Sequence, residues 1–115
     1  MSTRSHVGIA IHKDINLTEE VKEYLSDADQ VIKHEQGTLY VFEDIKWSSE
    51  AGTYASQDAL MDFLHVQEGD KWRLVEACHD YPASSTDEGG WVDNPFKLAR
   101  IITTELTWIQ GAQED

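Results

Sequence analysis

The sequence is short of positive charge: nine Lys and Arg stand against twenty-two Asp and Glu in 115 residues, a formal net charge of -13. Nucleic-acid backbones and anionic membrane surfaces attract proteins through Lys and Arg, so direct contact with either is disfavoured and a basic protein partner is favoured. Cysteine is almost missing, and Cys78 alone excludes an internal disulfide. The N-terminal MSTRSHVGIAIHK lacks the run of about seven or more apolar residues that forms a signal-peptide core, and no stretch approaches the roughly 20 apolar residues of a membrane span. A cytoplasmic chain is expected, in which the Asn16-Leu17-Thr18 sequon is a chance match. Glycines are scattered apart from Gly89-Gly90, which excludes a Walker loop and a dinucleotide fingerprint.

What is present suits one domain spanning residues 1–115. A chain of this length removes roughly two-thirds of its unfolded surface from water, enough for one core. Apolar residues at 40% and charged residues at 27% are ordinary globular usage, so the acidity does not imply disorder. Val7, Ile9 and Ile11 alternate with His6, Gly8, Ala10 and His12, predicting a strand with one bulky face and one partly small face that a neighbouring layer can approach. Asn16 with Glu19 predicts a capped amphipathic helix through about residue 27. Val31-Ile32, a turn at Glu35-Gln36-Gly37 and residues 39–45 predict a β-hairpin. Ser56 is placed as the N-cap of a second helix with Leu60, Phe63 and Leu64 on one face, ending by Glu68-Gly69.

Trp72 to Cys78 predicts a strand, and the β-branched residues between 101 and 107 predict a last strand within 96–109, although Pro95 is suited to opening a helix. The expected fold class is α+β: a two-layer sandwich with a mainly antiparallel sheet and two helices on one face, in a ferredoxin-like β-α-β-β-α-β order plus a C-terminal strand.

The chemistry-bearing residues do not converge. Cys78 and His79 are consecutive on a strand and project to opposite faces, so they form no nucleophile-base dyad. His6 and His12 share a face but lie about 20 Å apart, whereas zinc holds each nitrogen at about 2.1 Å. Asp87, Glu88 and Asp93 do not match a calcium loop. No cofactor and no metal ligand set is expected. A metal-dependent hydrolase built from His79, Asp80 and the carboxylates of the 79–93 loop is the alternative reading, and a self-associating subunit pairing through strand edges is a third.

Acidic residues give the positive signal. Glu19, Glu23 and Asp27 recur every fourth residue with Glu20 beside them, and Lys22 is the only cation of that helix. A domain of this size is roughly 35 Å across, over which B-DNA carries about 20 charges, so a nucleic-acid mimic would have to gather its acids on one side and Lys71, Arg73, Lys97 and Arg100 on another. Trp72 and Trp108 sit in strand patterns and read as core. Trp47 precedes a Ser/Gly-rich bend, and Trp91 lies in the long segment DYPASSTDEGGWVDNP at 80–95, which exceeds the usual connection length. These two are the anchor candidates for a partner, with Asp87 and Glu88 beside Trp91, and a lid-like return of Trp91 onto the sheet is the other possibility.

At MSTRS, at VFEDIKW followed by DALMDFL, and at DNPF, the chain resembles small accessory proteins of tailed bacteriophages. That resemblance implies a setting, the host cytosol, and a habit of binding and disabling host or defence enzymes, sometimes by imitating nucleic acid. It implies no catalytic residue. The function expected is therefore a non-catalytic protein that binds a basic, nucleic-acid-handling partner through Glu19, Glu20, Glu23, Asp27, Trp47, Asp87, Glu88 and Trp91.

Overall fold

The computed structural model describes residues 3–48, 52–78, 87–102 and 105–107. Elements follow in the order β1 (Thr3–His12), α1 (Glu19–Leu25), β2 (Gln30–His34), β3 (Gly37–Trp47), α2 (Ala55–His65), a 3₁₀ turn (Gly69–Lys71), β4 (Trp72–Cys78), β5 (Asp87–Glu88), β6 (Ala99–Ile102) and β7 (Glu105–Thr107). The fold is α+β. Five strands form one antiparallel sheet in the order β2-β3-β1-β4-β5, and β6 and β7 form a separate two-stranded sheet. The last strand expected at 96–109 is thus a hairpin over its described residues, and Trp108 lies outside them.

Strand β1 organises both layers. Its bulky face, Val7, Ile9 and Ile11, packs with Val21 and Leu25 of α1, Leu60 and Leu64 of α2, and Phe42, Trp47, Trp72 and Leu74. Its small face meets a second apolar cluster, in which Ala10, Leu39, Val41, Val75 and Ala77 of the sheet are covered by Trp91, Phe96, Leu98 and Leu106. The expected two layers therefore become three, because the segment after β5 folds back over the face that Gly8 and Ala10 keep thin. A Cβ at Gly8 would lie 2.7 Å from Leu98 Cδ1, which shows how closely the cover approaches.

α1 starts later than the sequence suggests. Thr18 rather than Asn16 is the N-cap, its hydroxyl oxygen accepting the Val21 N–H at 3.3 Å, and the helix ends at Leu25, so Asp27 lies in the turn beyond it. At α2 the residue before the helix is Tyr54 rather than Ser56, with no side-chain cap bond; the Asp58 carboxylate instead accepts the Gly52 N–H at 2.9 Å.

A β-bulge in β3 decides where Trp47 goes. Val7 pairs with Phe42 and Ser5 with Ile45, so His6 faces two residues, Glu43 and Asp44. Asp44 takes φ 55°, a left-handed conformation that Asp tolerates better than most residues. Its N–H donates to His6 Nδ1 at 3.2 Å and its carbonyl accepts from Arg4 at 3.0 Å. One inserted residue reverses which face each later side chain takes. Ile45 and Trp47 consequently turn toward the helices, where Trp47 is only 3% exposed. The expectation that Trp47 is an exposed anchor is corrected by this register shift.

Gly37 sits where β1, β2 and β3 converge, and a Cβ there would collide with the Ile11 carbonyl oxygen and lie 3.0 Å from Trp91 Cη2. Gly37→Ala is expected to lower stability by about 2 kcal/mol in urea unfolding, because the backbone cannot yield. Gly8→Ala should cost less, since the Leu98 methyl group can move aside. Equal stability of Gly37→Ala and the parent chain would contradict this packing.

Candidate functional site: an acidic groove between the helices

The polypeptide between β1 and β2 brings α1 against α2, and a groove of about 160 Å³ runs between them, lined by Glu20, Val21, Glu23, Tyr24, Asp27, Ser56, Ala59 and Leu60. Helical spacing explains the grouping. Positions 20, 23 and 24 fall on one side of α1, and the turn after Leu25 carries Asp27 to the same side. Val21 and Leu60 form the buried floor, so the groove is apolar below and anionic at its rim. None of its lining residues is cationic.

Glu19 does not belong to this group. Its carboxylate lies 3.6 Å from Lys22 Nζ, on an exposed part of the helix. Glu20, Glu23 and Asp27 enter no ion pair among the described residues. Tyr24 stacks against Phe42 at 5.4 Å between centroids, and burial pushes its phenol up to about 12, with the Asp27 carboxylate adding to the shift. The phenol therefore stays neutral at physiological pH, a donor beside three carboxylates.

The other expected site residues are engaged elsewhere. Asp87 lies 3.7 Å from Arg73, and Glu88 accepts from or pairs with His65 Nε2 at 2.8 Å, ties that hold β5 on the β4 edge. Trp91 is 8% exposed. Its N–H donates to the Trp72 carbonyl at 3.1 Å, and its ring meets the His12 ring edge-on at 5.2 Å. The lid-like return is the observed state, and Trp91 as a free partner anchor is corrected: an apolar ring this large gains more from covering the sheet at Gly37 than from water. His79, Asp80 and residues 81–86 of the long segment lie outside the described residues. No group of three or more metal-ligating side chains occurs among the described residues.

Sequence reasoning missed the residue that shapes this cover. Asn94, 1% exposed, donates from Nδ2 to the Trp91 carbonyl at 2.8 Å, while its Oδ1 accepts the N–H groups of Phe96 at 3.2 Å and Leu98 at 3.4 Å. Asn before Pro was a legible turn signal, but the Asn94 side chain closing three backbone bonds was not. Also missed was Glu76, buried on the helix side of β4, which accepts the Ser5 hydroxyl at 2.7 Å. Its place opposite Val7 looks like an alternation error in the sequence, and the Ser5 bond is part of what makes the burial tolerable.

Compared with protein-family models, curated proteins and solved structures, the chain gives no match. No helix among the described residues is long and apolar enough to cross a membrane.

Two outcomes follow from this geometry. Asn94→Ala leaves the Trp91 carbonyl and two amides without their partner, so a loss of about 2–4 kcal/mol is expected by chemical denaturation, and a loss below about 0.5 kcal/mol would contradict the assignment. Tyr24 has a folded-state pKa of about 12, above the ordinary phenol value of 10.0. Its contribution to stability is therefore complete below pH 10 and is lost as pH rises toward 12. With allowance for solvent screening, Tyr24→Phe should retain about 1 kcal/mol more of its neutral-pH stability than the parent at about pH 11. Parallel pH profiles for the two proteins would show that the phenol is not desolvated.

Proposed function

We propose that the chain is a non-catalytic binding protein, encoded by a tailed bacteriophage, that presents the groove between α1 and α2 to a basic surface of a nucleic-acid-handling protein. The observation that carries this reading is the convergence of Glu20, Glu23 and Asp27 on one groove with no cation in its lining. Such an arrangement steers a basic partner and offers its Lys or Arg side chains an apolar floor for their methylene stems beneath an anionic rim. The phage setting rests on the resemblance at MSTRS, VFEDIKW and DNPF.

Magnitude confines the contact to the groove. The long axis of the molecule is 41 Å, over which duplex DNA would carry about 24 charges at roughly one per 1.7 Å. The net charge is -13 over the whole chain. Imitation of an entire duplex face is therefore not proposed; imitation of a few phosphates is. We also read β1-α1-β2-β3-α2-β4 as a ferredoxin-like core. Supporting this, β3 lies between β1 and β2, and β1 between β3 and β4; the departures are β5 and the separate hairpin.

The test is affinity for an oligo-arginine peptide at low salt, with two triple variants. Glu20→Gln, Glu23→Gln and Asp27→Asn together should weaken binding at least about tenfold, at about 0.5 kcal/mol or more per rim charge. Glu35→Gln, Glu68→Gln and Asp70→Asn, three exposed acids elsewhere, should weaken it less than about threefold. Equal losses would show that binding follows net charge and not the groove.

A further inference from the structure

At one end of the sheet two histidines act as turn acceptors and as aromatic contacts at once. His12 Nδ1 accepts the Asp14 N–H at 3.1 Å, and His34 Nδ1 accepts the Gln36 N–H at 3.1 Å. Both residues pair with Gly37, His12 from β1 and His34 from β2. Each ring also meets an aromatic of the cover. His12 meets Trp91 at 5.2 Å and 62°, and His34 meets Phe96 at 6.2 Å and 76°. Acceptance through Nδ1 requires a neutral imidazole with its proton on Nε2, because an imidazolium has two donors and no acceptor. This hydrogen bond is therefore available to each ring in one protonation state alone.

We propose that His12 and His34 form an acid-sensitive latch on the cover: protonation abolishes both turn acceptors, rotates the rings off Trp91 and Phe96, and releases residues 89–98 from the sheet. The charges around His12 favour that rotation. The Asp14 carboxylate lies 3.6 Å from Nδ1 and attracts the new N–H donor away from the backbone, while Lys71 holds the same carboxylate at 3.2 Å and keeps its pKa below the usual range. Lys13, next in the chain, is exposed. Beside His34 the charged chain neighbours are the exposed Lys33 and Glu35, and exposed Lys97 follows Phe96 in the cover. The net charge of -13 promotes proton uptake throughout the molecule, whereas the acceptor geometry directs its consequence to these two turns.

Hydrogen exchange tests the latch, since the amides of Trp91, Phe96 and Leu98 are all bonded in the closed cover. After correction for intrinsic exchange, their protection should fall about tenfold on acidification from about pH 7.5 to about pH 5, while that of Ile9 in the sheet centre is retained. In His12→Asn/His34→Asn, Asn offers the same acceptor without titrating, and the fall should shrink to less than about twofold. If the double variant does not fold, His12→Asn alone should reduce the fall at Trp91 more than at Phe96. No fall in the parent chain, an equal fall at Ile9, or an undiminished fall in the folded variants would each overturn the proposal.

Discussion

Strand β1 is buried on both faces, and most of the structure follows from how it manages that. A half-solvated sheet would present polar side chains at positions 8 and 10; here Gly8 and Ala10 leave room for a second apolar layer. The helices close one face with branched and aromatic side chains. The other face is closed by Leu106 of β7 and by residues 89–98, which have almost no regular structure, and in that irregular part Asn94 supplies hydrogen bonds that a helix or strand would have supplied from its own backbone.

This division of labour separates stability from recognition. Tryptophans that look available in the sequence are used to hold the molecule together: Trp47 under the helices and Trp91 over the sheet. Acids are divided in the same way. Asp14, Asp87 and Glu88 tie elements to Lys71, Arg73 and His65, and Glu19 meets Lys22, whereas Glu20, Glu23 and Asp27 remain at the rim of the groove. The surface left for a partner is thus defined as much by which carboxylates are already occupied as by where the acids lie.

Much of the scaffold was legible from residue patterns. β1 declared itself by strict alternation, β4 by the apolar residues spread from Trp72 to Cys78, and α2 by Leu60 and Leu64, because each is long or regular enough for one burial pattern to dominate. The errors came where a single residue outweighs the pattern. Thr18 took the cap from Asn16, and the bulge at Glu43-Asp44 reversed the faces of Ile45 and Trp47. Two consecutive polar residues between Phe42 and Ile45 were the available sign of that bulge. Of the acids expected on one stripe, Glu20, Glu23 and Asp27 line the groove and Glu19 does not, since facing α2 depends on how α1 is rotated against its neighbour, and one helix's sequence does not encode that. The return of residues 89–98 over the sheet is a long-range contact, visible beforehand only as the small side chains that make space for it.

The claim on which this account rests is that Trp91 belongs to the covered face of the sheet. Nuclear Overhauser contacts from its indole ring test this most directly at neutral pH. The account predicts contacts to Gly37 and to the His12 ring. An indole without those contacts, with the chemical shifts of a solvated side chain, would contradict it.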